Sequence, residues 1–192
     1  MLFFVAASLH AQQKIIPIQI SLYNESTAIP FTRLVTTPIH PGIQIGTEFT
    51  YKENEHFRLF QTVNLSYYFH AQLNHGISVN TELGGEYLTN SRFSFGALIG
   101  VGYLHTFAST IEYVFEDGHY TIATDKGNAR IAPSLSLDVN YRIKKIEPTS
   151  PKIFVRYQSW IEYPYSPGFI PLMSHINLHI GAKFNLPLNT GK

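Results

Sequence analysis

The sequence predicts an all-β protein, specifically an eight-stranded antiparallel up-and-down transmembrane β-barrel. Apolar and polar residues alternate with a period of two along eight segments, and an even strand number fits such a barrel. Only 14 basic and 13 acidic side chains occur among 192 residues, or 14 % charged, whereas soluble domains carry about 25 %. Aromatic residues also gather near both ends of the apolar phase, as they do at membrane interfaces.

The chain begins with a short apolar run that predicts an export signal. Residues 1–11 end in Ala11, which we take as the cleavage position, and the run is too short to span a membrane. A start assigned too far downstream would explain why no basic residue precedes Leu2, and a buried N-terminal strand or helix is the alternative. Residues 12–192 are then expected to form the barrel domain.

Each of the eight segments is about ten or more residues long and ends in Gly, Pro, Asn or Asp clusters, which favour turns. In chain order they are Lys14–Asn24, Gly42–Lys52, His56–His70, Gly76–Thr89, Arg92–His105, Ala129–Lys144, Lys152–Tyr163 and Ser174–Leu186.

A shorter pattern lies between the fifth and sixth segments. Two β-forming runs within 111–122 flank Asp117 and Gly118, a dipeptide typical of hairpin turns. Because each run is shorter than a membrane-spanning strand, we predict a hairpin beyond the membrane. Two additional membrane strands, making ten, are the alternative.

Alternation alone does not decide which phase faces inward. A soluble barrel would place the apolar phase inside and bind an apolar ligand there. The polar phase is poor in Lys, and short connections alternate with longer ones, both of which favour a lipid-facing apolar phase. Two aromatic girdles are predicted on that phase: Tyr51, Phe57, Tyr87, Phe93, Tyr141 and Phe184 at one rim, and Tyr67, Phe69, Tyr103 and Tyr163 at the other.

The polar phase would then face the lumen. An eight-stranded barrel holds little more than its own side chains, so charged residues there must pair, and glycines on this phase leave room for Phe60, Tyr68, Phe154 and Trp160. We predict a closed lumenal network rather than a pore, formed by Glu48, Arg58, Glu82, Glu86, Asp138, Arg142, Arg156, Glu162, His179 and Lys183.

Three segments carry a resemblance to a known group. These are His40–Phe49, Gly100–Tyr103 and Leu178–Leu186, and with them the chain resembles the small outer-membrane β-barrel proteins of Gram-negative bacteria, most like uncharacterised members from Bacteroidota. The last segment is similar to the C-terminal strand signal read by the barrel-assembly machinery, although the chain continues to Lys192. The resemblance implies a location in the bacterial outer membrane, among its lipid and lipopolysaccharide.

Function is expected to reside in the connections. The apolar, Pro-rich stretches Glu25–Pro41 and Tyr163–Met173 are candidates for contact with a protein partner or lipopolysaccharide, or they pack on one another as a cap. We expect a non-enzymatic protein. The alternative is a lipid A or phospholipid acyl hydrolase with Ser174, His175 and Glu162 as candidate catalytic residues.

Other classes are disfavoured. The chain has no cysteine, which excludes thiol catalysis and cysteine-ligated metal sites, and its net charge of +1 gives nucleic acid no basic surface. No cofactor is expected. His175 and His179 would lie roughly 13 Å apart on one strand, too far for one zinc ion. The histidines at segment ends leave weak surface metal capture open: His40, His70, His75, His105 and His119.

Overall fold

The computed structural model describes residues 15–111, 113–122, 124–144, 150–166 and 168–187, so the expected signal peptide lies outside the described residues. Ten strands lie within these ranges: β1 (Ile15–Thr27), β2 (His40–Glu53), β3 (Phe57–Phe69), β4 (Asn74–Leu88), β5 (Phe93–Ala108), β6 (Tyr113–Glu116), β7 (His119–Ile122), β8 (Asn128–Arg142), β9 (Lys152–Glu162) and β10 (Met173–Pro187).

Eight of the strands form one closed barrel. Its order is β1-β10-β9-β8-β5-β4-β3-β2, and every neighbouring pair is antiparallel. The pairing of β1 with β10 closes the circle, from Ile15↔Pro187 to Thr27↔His175. The predicted fold is therefore confirmed, and the described strand ends lie within three residues of the predicted ones.

Strands β6 and β7 form a separate two-stranded sheet. Asp117 (φ 51°) and Gly118 (φ 81°) both have positive φ, as the primed turns of tight hairpins require. The hairpin prediction is confirmed, and the ten-stranded alternative is wrong because neither strand joins the barrel. No helix of the described ranges has the length and apolar character to cross a membrane.

The apolar phase faces outward. Leu22 and Ile99 are 66 % exposed, and each residue of both predicted girdles lies on the outer surface, exposed or half-buried. Glu82, Glu86 and Arg156 are by contrast fully buried inside. A soluble barrel with an apolar interior is thus excluded, since its two phases would be reversed.

The two ends of the barrel differ in their connections. Turns 54–56 and 89–92 adjoin the end that holds Ile15 and Pro187. The opposite end carries loop 1 (28–39), loop 2 (70–73), loop 3 (109–127, with β6 and β7) and loop 4 (163–172). Short turns mark the periplasmic end of outer-membrane barrels. Seven of the barrel strands have 13 to 16 residues, more than the roughly 9–11 needed to span, and β9 has 11. The ends of the seven longer strands therefore stand outside the hydrocarbon.

Glycines on the inner face accommodate large aromatic side chains, as predicted. A Cβ on Gly84 would lie 2.6 Å from the ring of Phe60, and one on Gly181 would lie 2.7 Å from the ring of Phe154. Such distances are far below van der Waals contact. At Gly181 the added Cβ would also overlap the Ile20 carbonyl oxygen, so a larger residue at either position requires its neighbours to shift.

One residue of the apolar phase departs from its expected exposure. Ile176 lies on the outer face yet is only 1 % exposed, because loop 1 folds back over the barrel wall. Ser174 Oγ donates to the Ala28 carbonyl at 3.0 Å. The Phe31 amide donates to the Tyr157 hydroxyl at 2.8 Å, and the two rings stack. Ile176 therefore contacts protein rather than lipid.

Candidate functional site: the lumen and its extracellular mouth

A continuous ion-pair chain fills the periplasmic half of the lumen. Its centre is Arg156, whose Nε and Nη2 donate to the two carboxylate oxygens of Asp138 at 2.6 and 2.9 Å, while Nη1 donates to Glu82 at 3.0 Å. Glu82 also accepts from Ser136 Oγ at 2.7 Å. The Lys183 amine lies 3.5 Å from Asp138 and connects this centre with a second group of ion pairs.

That second group continues toward the periplasm. Lys183 donates to Glu48 at 3.0 Å, and Arg58 lies between Glu48 at 3.4 Å and Glu86 at 2.7 Å. Lys152 completes the chain at 3.1 Å from Glu86. Its four carboxylates and four cations balance, as buried charges require. We call this set the lumenal network: Glu48, Arg58, Glu82, Glu86, Asp138, Lys152, Arg156 and Lys183.

An aromatic layer separates this network from the extracellular side. Tyr23, Tyr68, Leu104 and Trp160 form a buried apolar cluster. The cavity beside them has a volume of about 30 Å³, which is room for one or two water molecules. Neither an apolar ligand nor a hydrated solute fits through this layer.

A second polar group lies above the aromatic layer. His175 stacks on Trp160 with ring centroids 4.0 Å apart. Its two ring nitrogens lie 2.7 Å from Glu25 and 3.2 Å from Glu162. Arg130 pairs with Glu162 at 3.0 Å. We name this group, together with two further histidines, the mouth cluster: Glu25, His40, His70, Arg130, Glu162 and His175.

The two further histidines approach Glu25 from the other side. His40 lies with Nδ1 3.1 Å from the Glu25 carbonyl oxygen and 3.8 Å from a carboxylate oxygen. The ring of His70 stacks on that of His40, with centroids 3.5 Å apart. Burial, reinforced by the adjacent His40, lowers the pKa of His70 from its ordinary 6.5, so the imidazole of His70 stays neutral at pH 7.

The candidate catalytic residues do not form a triad. His175 contacts Glu162 inside the mouth, but Ser174 points to the outer face, where its hydroxyl is bonded to Ala28. Adjacent residues on a strand face opposite ways, so the serine cannot reach the imidazole. The described geometry thus provides an acid–imidazole pair without this nucleophile.

The remaining predicted residues are separated by the aromatic layer. His179 lies below it, 3.0 Å from the Ser21 hydroxyl and stacked on Tyr23, whereas His175 lies in the mouth. Glu162 also belongs to the mouth cluster rather than to the lumenal network. Arg142, half-buried, lines a polar cleft at the periplasmic end with Arg92.

Three charged residues of the lumen and mouth were not predicted from the sequence. Lys152 and Arg130 follow the inward parity of β9 and β8, so the alternation carried the signal for both. Glu25 lies one residue beyond the predicted end of its segment because β1 extends to Thr27. Its inward parity, two residues after Tyr23, would have placed it correctly.

Comparisons with known proteins find the fold and nothing more specific. No protein-family model and no curated protein sequence matches the chain. Neisserial surface protein A is structurally similar, with a TM-score of 0.55 at 10 % identity over 90 % of this chain and 96 % of that one. Ail of Yersinia pestis gives 0.52 at 11 % identity over 91 % and 100 %. The outer-membrane enzyme PagL gives 0.50 at 9 % identity over 88 % and 98 %.

These similar structures are small eight-stranded barrels of the outer membrane of Gram-negative bacteria. The chain has the same eight-stranded barrel fold as these outer-membrane proteins. Because the group includes both an enzyme and surface proteins, the fold by itself does not select an activity.

Proposed function

We propose that this protein is a non-enzymatic outer-membrane barrel that binds a protein partner through its extracellular loops and does not conduct solutes. The observation that carries the proposal is the closed lumen. Arg156 is wholly buried between Asp138 and Glu82, and the aromatic layer lies above them. A lumen filled in this way has no path for solute.

The extracellular loops present an apolar surface. Phe169 in loop 4 is 82 % exposed, and Ile29 and Leu34 in loop 1 are exposed by two thirds. Exposed apolar residues outside a lipid-facing wall are typical of contact sites. Loop 1 lies against the barrel wall and suits lipid or lipopolysaccharide, whereas the exposed Phe169 of loop 4 suits a protein. Ail, a barrel of this fold, has been crystallised with the heparin analogue sucrose octasulfate.

The closed lumen is tested in liposomes. The refolded chain should give no faster osmotic swelling in small sugars than liposomes without protein. A variant with Arg156→Gly, Phe154→Gly and Trp160→Gly should swell faster, because it empties the lumen. Swelling of the unaltered chain faster than that of protein-free liposomes contradicts a closed lumen.

The loop contact is tested in intact cells with a photo-crosslinking residue at position 169, and at Leu65 on the lipid-facing wall as the matched control. A discrete protein adduct is expected at 169, absent at 65. The adduct should disappear when the neighbouring Ile170 and Leu172 are changed to Ser. An adduct that survives these changes, or no adduct at 169, contradicts contact through loop 4.

The hydrolase alternative has less support. PagL shares the fold, but the outward orientation of Ser174 removes the nucleophile that was predicted for this chain. Three finer predictions from the sequence also stay predictions: export through the signal at 1–11, insertion by the barrel-assembly machinery, and an origin in Bacteroidota.

A further inference from the structure

Part of the mouth cluster has no role in the proposed function. Glu25 and His40 are direct cross-strand partners in β1 and β2. In β2 and β3, Gly42 pairs with Tyr68, and two residues further on His40 comes opposite His70. Three inward-facing donors therefore stand side by side at the ends of three adjacent strands, where cross-strand neighbours have Cβ atoms about 5 Å apart.

The donor atoms of these three residues converge. One ring nitrogen of His40, one of His70 and a carboxylate oxygen of Glu25 all lie within 4.8 Å of one another. Zinc binds nitrogen and oxygen at about 2.1 Å in a tetrahedral arrangement, which places two ligand atoms about 3.4 Å apart. Movements of less than 1 Å, roughly, would bring all three donors onto one ion. His175 and His179, by contrast, are on opposite sides of the aromatic layer.

Glu25 can serve His175 and a bound ion at the same time. One carboxylate oxygen of Glu25 lies 2.7 Å from a ring nitrogen of His175, whose other ring nitrogen lies 3.2 Å from Glu162. The second carboxylate oxygen of Glu25 lies 3.8 Å from His40 Nδ1, on the side of the two remaining histidines. The convergence of donor atoms, rather than the charge of the mouth, therefore carries the metal site.

We propose that Glu25, His40 and His70 bind a divalent transition-metal ion of the zinc class at the extracellular mouth of the barrel. Two imidazoles and one carboxylate form a ligand set that zinc and its neighbours accept, with a further position left for water or for a donor from a partner. The ion would join both ends of loop 1 to the start of loop 2, outside the hydrocarbon.

The test is a calorimetric titration of Zn²⁺ into the chelator-stripped, refolded full chain. One ion per chain is expected. The variants His40→Gln and His70→Gln should each weaken binding at least about tenfold. His56→Gln in the periplasmic turn and His119→Gln in the β6–β7 hairpin are matched controls, because they remove one exposed histidine each from other parts of the surface.

His70→Gln carries the decision because His70 lies beyond the end of β3 and its loss spares the barrel pairing. Folding of each variant is checked by heat-modifiable migration on a denaturing gel. Co²⁺ should give the absorption of a low-symmetry nitrogen–oxygen site, lost in the same two variants. If the unaltered chain and His70→Gln bind Zn²⁺ equally, or if the controls weaken binding as much, the proposal is wrong.

Loop contact and metal binding fail separately. A metal-binding chain with no adduct at position 169 retains the metal site and loses the partner proposal, and the reverse result retains only the partner proposal.

Discussion

Arg156→Met is the change that tests the lumenal network most directly. The guanidinium is wholly buried, donates twice to Asp138 and once to Glu82, and has a long apolar stem that Met imitates. Removing its charge leaves two buried carboxylates with one cation fewer. The expected result is a large loss of stability without a change of fold.

The magnitude follows from the contacts that survive. Breaking a buried ion pair by deleting one partner costs about 3–5 kcal/mol. Asp138 keeps Lys183 at 3.5 Å, and Glu82 keeps Ser136 at 2.7 Å. These residual partners place the expected loss in the free energy of unfolding near the lower limit, at about 3 kcal/mol. Adding Glu82→Gln to Arg156→Met should recover part of that loss, because three carboxylates then balance the three remaining cations and no uncompensated charge stays buried.

Equilibrium unfolding in urea from lipid vesicles measures the loss, with the single tryptophan as the fluorescent probe. Trp160 is well placed for this, since it stacks on His175 inside the barrel. Arg92→Met is the control, because the exposed Arg92 side chain donates one hydrogen bond to the Tyr141 hydroxyl at 3.1 Å. A loss of about 1 kcal/mol or less is expected for this variant. Equal losses in Arg156→Met and Arg92→Met would refute the reasoning.

Three further changes test the remaining assignments. Gly84→Ala should destabilise the barrel by about 1–3 kcal/mol in the same urea assay, since the added Cβ would lie 2.6 Å from Phe60. Gly96→Ala is the control: its Cβ would meet no atom closer than 3.3 Å, so a smaller loss of stability is expected. Val63 lies in the middle of β3 on the outer face, and Val63→Arg should lower the free energy of unfolding in vesicles by about 2–4 kcal/mol. Phe57→Arg at the rim should lower it by about 0–1 kcal/mol. Equal losses in the two variants contradict the membrane position. Ser174→Ala should leave the lipid A and phospholipid composition of purified membranes unchanged, and a loss of deacylated lipid would revive the hydrolase alternative.

The fold could be predicted because its signal is local. Period-two alternation, turn residues and aromatic girdles act within single segments, and each strand was found to within three residues. The direction of the two phases followed from the scarcity of charge. The inward-facing charged residues could be predicted as a set, because the alternation within each strand selects them without knowledge of the strand register.

The pairing within that set needed the register. Arg156 meets Asp138 because β8 and β9 pair them directly, but Glu82 comes from β4, across the lumen. The burial of Ile176 could not be predicted from the sequence either. Loop 1 covers one patch of the outer wall, and the alternation within β10 gives no sign of that contact. The mouth cluster also needed the strand register. Glu25 and His40 are 15 positions apart in the sequence, His40 and His70 are 30 apart, and only strand pairing brings the three together.

The aromatic layer gives the two polar groups separate roles. The lumenal network is charge-balanced below Tyr23, Tyr68 and Trp160, so it gains nothing from an ion or a partner. The mouth cluster lies above that layer, next to the loops, and contains the carboxylate and the two imidazoles whose donor atoms converge. Because the two groups share no ion pair among the described residues, changes at His40 and His70 should alter binding with little effect on unfolding, and changes at Arg156 should do the opposite. If the variants at His40 and His70 and the variant at Arg156 each changed both stability and metal binding, the two polar groups would not have separate roles.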